Sequence, residues 1–387
     1  MSTGTDKDYW KAQALPSVLK HRLLRSYIPR FAGMTGSHSK QIVYLDGYAG
    51  EGRYEDGRKG SAELAMGIAA DHAAMGRPIV WTCFFAERKA ASAVKLREVA
   101  GEYVKRGVDS RIHHGEVDDL LDQAVAAAVG LPLFLFLDPC GLGVPFERLT
   151  GIVNGPRAVP PQWPPTEFLL NFSLEAVRRI GGHQRSEQGN ARTMERLDIV
   201  CGGSWWRDIV DREGVNADEP VATEYARRLQ EATGMFVRSV PVRRRPRHKA
   251  VYHLVFATRS QYGLWAFGDS AAKARDAWWE SLAQDEAARN EASDTPFLLT
   301  EAEVLRPDPE TIERAALPVI ADNIERLLRE GRPVKLVDHT LEVFGDLYGQ
   351  VTEPVVRKAI KLLHTQRRTP SNGKGSPIHN LVVDPPA

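Results

Sequence analysis

The stretch Ile42-Val43-Tyr44-Leu45-Asp46-Gly47-Tyr48-Ala49-Gly50-Glu51-Gly52 constrains this chain more than any other. A short apolar, β-rich run ends in an acid and passes into a Gly-x-x-Gly-x-Gly turn. Glycines let a chain reverse sharply and carry its amides close to a ligand. A strand that ends this way, with a helix soon after, is how open α/β sheets build a cofactor crevice at their carboxyl edge. Two further strand-plus-acid segments follow at suitable spacing, so the chain is organised around the first.

A polar insert, Arg53 to Gly60, separates the turn from a helix expected over Ala62 to Met75, with Ser61 as its N-cap and Glu63 in its first turn. Pro78 to Glu87 is a buried-type strand ending in an acid, and a helix follows over Ala90 to Tyr103. A third strand near Ser110 to His114 leads to Gly115-Glu116 and a helix over Val117 to Val129. The apolar run Leu133 to Leu137 then enters Asp138-Pro139-Cys140-Gly141, and Glu167 to Phe172 is a fifth strand ending near a polar residue. This alternation predicts a parallel sheet covered on both faces, with the most apolar run at its centre. The Pro-rich loop Gly155 to Pro165 is placed to border the site.

Ahead of the first strand, Val18, Leu19, Leu23, Leu24, Tyr27 and Ile28 recur at helical spacing, and Pro29 is expected to end that helix. Lys20 and His21 within it read as solvated or capping, on an element that could cover the cofactor pocket. From Leu174 to Gln230 the pattern is helical and irregular, with Trp205-Trp206 as packing anchors. Met235 to Val242 and Val251 to Thr258 then bracket a basic connector, a hairpin with a positive tip. Residues 270 to 296 read as a charged helix and a linker, hence a domain boundary. Beyond it come helix Glu310 to Glu330, the short run Val334 to Val337, a helix near Leu341 to Leu347, and a helix Val355 to Thr365 capped by Thr352 with Pro354 in its first turn. A basic loop, Arg367 to Ser376, and a closing strand, Ile378 to Val383, complete the pattern of a winged helix-turn-helix.

With 387 residues the chain is long enough for two or three domains, and its net charge of +1 confines any nucleic-acid affinity to local patches. Cys83, Cys140 and Cys201 are scattered and form neither a disulfide framework nor a metal knuckle, which points to a reducing cytoplasm. The polar start, Met1 to Tyr9, lacks a signal peptide's apolar core, and no apolar run approaches the roughly 20 residues that span a bilayer. A cytoplasmic protein with no membrane partner is the expectation. His113 and His114 have no ligand spacing to other Cys or His, so packing is expected of them and no metal site.

Asp46, Glu87 and Glu116 each follow their own strand and in an open sheet project at one edge. An acid after the second strand suits ribose hydroxyls, and the glycine turn admits a bulky ligand, so a nucleoside-bearing cofactor is expected. The turn differs from the dinucleotide fingerprint, and the insert leaves no helix N-terminus beside a pyrophosphate. Both points favour S-adenosylmethionine over NAD. Asp46, Gly47, Tyr48, Gly50 and Gly52 would hold the methionine end, Glu87 the ribose and Glu116 the adenine amine. Asp138-Pro139 resembles half of the motif with which amino-methylating enzymes face an exocyclic amine, with Cys140 where an aromatic would stack. Cys140 reads either as a thiolate nucleophile for carbon methylation or as a small buried side chain under the turn. At the hairpin tip Arg243, Arg244, Arg245, Arg247 and Lys249 stand with no acid among them, and Arg357 and Lys361 repeat the theme, which points to phosphate contact.

Taken in order, Lys20-His21, Tyr44 to Gly52, Gly60-Ser61, Phe136-Leu137-Asp138-Pro139-Cys140-Gly141 and Tyr252 to Thr258 resemble the three-Cys-motif partner (TcmP) family, over roughly residues 15 to 290. The three cysteines of that name belong to a neighbouring protein. The resemblance implies a class I methyltransferase-like fold, a bacterial or phage setting and a phage-type partner carrying the three-Cys motif. Cys140 departs from the family, which usually has an aromatic after Asp-Pro. The expectation is therefore an α/β protein. A helical segment (1–39) precedes a Rossmann-like methyltransferase domain of parallel strands plus an antiparallel hairpin (40–290), and a winged helix-turn-helix domain (297–387) follows. S-adenosylmethionine-dependent methylation of a nucleic acid or nucleotide, at a base, is the expected function. A non-catalytic DNA-binding adaptor for the partner is the alternative, and a metal-dependent nuclease using Asp46, Glu87 and Asp138 is the third.

Overall fold

The glycine turn lies at the centre of the sheet it was expected to organise. The computed structural model describes residues 10, 13–158, 165–184, 190–293, 299–375 and 377–386. The start Met1 to Tyr9 and most of the Pro-rich loop (159–164) lie outside them. The chain divides into two units, Met1–Arg259 and Ser260–Ala387.

In the first unit α1 (Leu15–Ser39), β1 (Gln41–Asp46), α2 (Ser61–Ala73), β2 (Val80–Glu87), α3 (Ala90–Val104), β3 (Asp109–His114), α4 (Val117–Ala127), β4 (Leu133–Leu137), α5 (Phe146–Asn154) and β5 (Thr166–Ser173) alternate. Then come α6 (Leu174–Gln184), α7 (Ala191–Cys201), α8 (Trp206–Glu213), α9 (Asp218–Thr233), β6 (Phe236–Arg243) and β7 (Ala250–Thr258). The strands form one seven-stranded sheet in the order β3-β2-β1-β4-β5-β7-β6. The first five are parallel, and β7 runs antiparallel to both β5 and β6. The sheet is thus mixed and mostly parallel, as the alternation predicts, and compatible with a Rossmann-like fold.

Period-two alternation sorts the central strands onto two faces. Val43, Leu45, Leu133, Leu135 and Leu137 enter the core that α4, α5 and α9 cover. Tyr44 and Phe134 face the other way and stack, and Tyr27 and Phe31 of α1 pack on Phe134. On that face Tyr27 and Thr258 donate hydrogen bonds to the buried Glu167 carboxylate, whose pKa burial pushes up to about 7.

Three local expectations change. Pro29 does not end the first helix, which continues through it to Ser39 and stops where Lys40 turns left-handed at φ 55°. Four fully buried side chains, Leu24, Tyr27, Ile28 and Phe31, straddle the proline, and their packing outweighs the one hydrogen bond it removes. Ser61 is the first helical residue of α2 rather than its cap, which is Gly60. The long helix expected from residue 270 begins earlier, at Gln261, and the second unit starts with it, after Arg259.

The second unit comprises α10 (Gln261–Glu291), α11 (Glu301–Leu305), α12 (Pro309–Leu328), β8 (Val334–Lys335), α13 (Thr340–Phe344), α14 (Pro354–Thr365) and β9 (Val382–Val383). It has its own core, in which Ile320 and Ile324 of α12 and Val356 and Ile360 of α14 are fully buried. β8 and β9 pair antiparallel, which shortens the closing strand expected over Ile378 to Val383. α14 is capped at Glu353, not Thr352, with Pro354 as its first residue. Among the described residues no helix is long and apolar enough to cross a membrane.

Candidate functional site

Between β1 and β4 the strand order reverses, because β2 and β3 lie on one side of β1 and β4 and β5 on the other. Helices after strands on either side of such a point leave the sheet on opposite faces and open a crevice at its carboxyl edge. A cleft of about 480 Å³ lies there. One wall is Gly47 to Gly50, Glu87 and Glu116, and the other is Asp138 to Pro145 with Arg196. Motifs far apart in the chain therefore meet, but they do not all face the cavity.

Asp46 does not reach the cleft surface. It is fully buried, and its carboxylate accepts from the Tyr48 amide at 3.1 Å and the Ser61 hydroxyl at 2.7 Å. Burial pushes its pKa up to about 7, against those two hydrogen bonds. Asp46 thus fastens the glycine turn to the start of α2 and does not itself face a cofactor. Gly52, at φ +81° and packed against Leu96, is likewise behind the wall. Gly47 and Gly50 do line the cleft. A Cβ on Gly47 would meet Val117 Cγ2 at 2.6 Å, and one on Gly50, at φ +63°, would strike the ring of Trp10. Glu87 ends β2 facing the cleft, with Oε2 accepting from the Gly50 amide at 3.0 Å and Oε1 from the Lys89 amide at 2.6 Å. Each oxygen keeps a second acceptor site. Glu116 caps α4 at the exposed rim, 3.8 Å from Arg88.

On the opposite wall, Asp138 follows β4 and accepts hydrogen bonds from the Lys20 ammonium and, at 2.8 Å, from Asn171 Nδ2 at the end of β5. Lys20 is only 4% exposed, and His21 beside it is buried with its ring 2.6 Å from Gln13. Burial, then the Lys20 charge, hold the His21 imidazole well below its usual range, hence neutral. Neither residue is solvated or merely capping, as their helical spacing suggested. Because Asn171 points its amide nitrogen at a carboxylate, its Oδ1 faces away, and that buried oxygen has no partner among the described residues. Cys140 is exposed, not tucked under the turn. Crowding by the wall, then the Asp138 charge, push its thiol up, against a role as thiolate nucleophile.

The chain matches no family model, and no curated protein matches it.

The basic hairpin tip stands at the same sheet edge as the cleft, since Ser173 at the end of β5 pairs with Tyr252 near the start of β7. Its charge is answered within the protein, contrary to the reading of an acid-free run. Arg243 lies 3.3 Å from Glu219, Arg244 lies 2.9 Å from Glu175, and Lys249 donates to the Val215 carbonyl at 2.9 Å. Arg245 also has partners, and Arg247 is exposed at the tip. In the second unit Arg357 donates to the Gly373 carbonyl and Lys358 pairs with Glu313, which leaves Lys361 exposed on α14. Among the described residues no three His, Cys, Asp or Glu side chains stand together as a metal ion requires. Asp46, Glu87 and Asp138 are instead held by hydroxyl, amide and ammonium donors.

Trp10 and Arg196 line the cleft though neither stood out in the sequence, and the partners of Ser61, Asn171 and Lys20 there were not visible from spacing. Trp10 packs on Tyr54 with ring centroids 4.9 Å apart and lines the cleft, the one signal being a large aromatic in a polar tail.

Proposed function

We propose that the first unit is an S-adenosylmethionine-dependent methyltransferase of the three-Cys-motif partner type, acting on an amino-bearing base of a nucleic acid or nucleotide. The observation that carries this reading is the meeting of Glu87 with its glycine turn and Asp138-Pro139 across one cleft at the β1–β4 switch point. The residues fit the cofactor. Glu87, whose two oxygens each keep an acceptor site, suits the vicinal hydroxyls of a ribose. The cavity is large enough for a nucleoside with a side chain, and the positive φ of Gly50 lets backbone approach closely. Gly47, Tyr48 and Gly50 would hold the methionine end and Glu116 the adenine amine. When bound, the cofactor supplies an electrophilic methyl group on a sulfonium.

The chain's own contribution is positioning. Lys20 holds the Asp138 carboxylate in place, so that Asp138 accepts an N–H from the substrate amine and does not swing away. Asn171 fixes the other carboxylate oxygen. The sheet order, with its antiparallel β7–β6 hairpin, supports the class I methyltransferase reading. In the second unit, β8 after α12 pairs with β9 after α14, and this ribbon beside the helices supports a winged helix-turn-helix that docks a partner or nucleic acid.

The test is incubation of the purified chain, with and without the three-Cys-motif partner, with methyl-labelled cofactor and separate DNA, RNA and nucleotide pools. Label enters one pool and is lost in Asp138→Ala. If no pool is labelled although the cofactor binds, the non-catalytic adaptor replaces the enzyme.

A further inference from the structure

We infer that Arg196, on the exposed face of α7, is the phosphate anchor of the substrate site, so that the substrate carries a phosphate next to the base presented at Asp138. This inference rests on the proposed function and specifies its substrate.

The position comes first. α7 lies against the turn that bears Asp138-Pro139: its Leu197 and Val200 share a small hollow of about 20 Å³ with Pro139, Leu142 and Val144. The next face of the same helix turns Arg196 into the main cleft, beside the segment Asp138 to Pro145. The charges come second. Of the other cations that line this cleft, Lys20 is paired with Asp138, Arg88 faces Glu116 at 3.8 Å and Lys89 also has a partner. Arg196 is exposed and has no hydrogen bond or ion pair among the described residues. One helical turn earlier Arg192 is exposed in the same way, and residues four apart share a helix face.

The chemistry then sorts the ligand. On the cofactor wall Glu87, Glu116 and Asp118 outnumber Arg88 and Lys89, which suits a cofactor with a sulfonium and no phosphate. The two cations on that wall are already engaged, so a phosphate finds its counter-charge at Arg196, whose planar fork matches two phosphate oxygens. The hairpin tip, the site first expected for this role, has its two leading arginines engaged by Glu219 and Glu175. The phosphate is either the 5′-phosphate of a free nucleotide or a phosphodiester flanking the base in a strand.

Equilibrium binding separates these. The wild-type chain, Arg196→Gln, Arg196→Lys and Arg247→Gln are titrated with four nucleosides, their 5′-monophosphates and short single-stranded DNA and RNA oligonucleotides. S-adenosylhomocysteine is titrated in parallel, with thermal melts to verify folding. The expected result is a preference of at least tenfold for a phosphorylated probe over its nucleoside in the wild type. Arg196→Gln abolishes it, and Arg196→Lys keeps part of it. Loss in the monophosphate arm names a free nucleotide, and loss in the oligonucleotide arm alone, with the salt slope lowered by about one, names a strand. An undiminished preference in Arg196→Gln, its absence in the wild type, or its loss in Arg247→Gln instead would overturn the inference. Failure of S-adenosylhomocysteine to bind while Arg196→Gln still loses the phosphate preference would sink the cofactor reading alone.

Discussion

Lys20 and Asp138 form a mostly buried ion pair between residues 118 positions apart. Removing one partner of such a pair typically costs about 3–5 kcal/mol, because the other is left charged and desolvated, whereas replacing both is often neutral. Lys20→Met is therefore expected to lose roughly 3 kcal/mol in urea denaturation, and Lys20→Met/Asp138→Asn to recover most of it. A double variant as unstable as the single one would show that Lys20 matters for other packing. Asp46 gives a second residue-scale test. Its folded pKa of about 7 lies above the ordinary value near 4, as does that of Glu167, so between those limits the folded chain binds more protons than the unfolded one. Stability then falls as pH rises from about 4 to about 7, by at most about 1.4 kcal/mol per pH unit for each group. Asp46→Asn should make that fall shallower in urea melts at pH 5 and 8, and an unchanged slope would refute it. Neither partnership was legible in the sequence. An acid at a strand end looks the same whether it faces a cofactor or a neighbouring serine, and spacing alone cannot find a lysine's partner across the sheet.

Elements were more legible than residues. β1, β2 and β4 declared themselves by apolar runs closed with acids, and the β6–β7 hairpin by two β-rich runs around a basic connector. Helix limits were harder, because Pro29 is a local signal overruled by the aromatic contacts of α1 with the sheet. The glycine turn is the element on which binding depends. Gly50→Ala would place a Cβ at φ +63° against the Trp10 ring. Strain of that kind costs about 1–3 kcal/mol. The variant should lose about 2 kcal/mol of stability and at least tenfold in affinity for S-adenosylhomocysteine by calorimetry. Full affinity would mean that the turn does not meet the ligand.

At the scale of the whole molecule, the fold class was readable because strand–helix alternation allows few architectures, and right-handed crossovers fix their sense. The start of α10 was less legible, since its first turns are apolar and carry none of the charge by which the helix was recognised from residue 270. The proposed chemistry depends on the switch-point cleft holding an adenosyl group with Glu87 on its ribose. Isothermal titration of the full chain with S-adenosylhomocysteine, beside Glu87→Gln, tests it most directly. One site per chain is expected, weakened about tenfold in Glu87→Gln by loss of a charged acceptor. No binding to the wild type, or binding that Glu87→Gln leaves untouched, would contradict it.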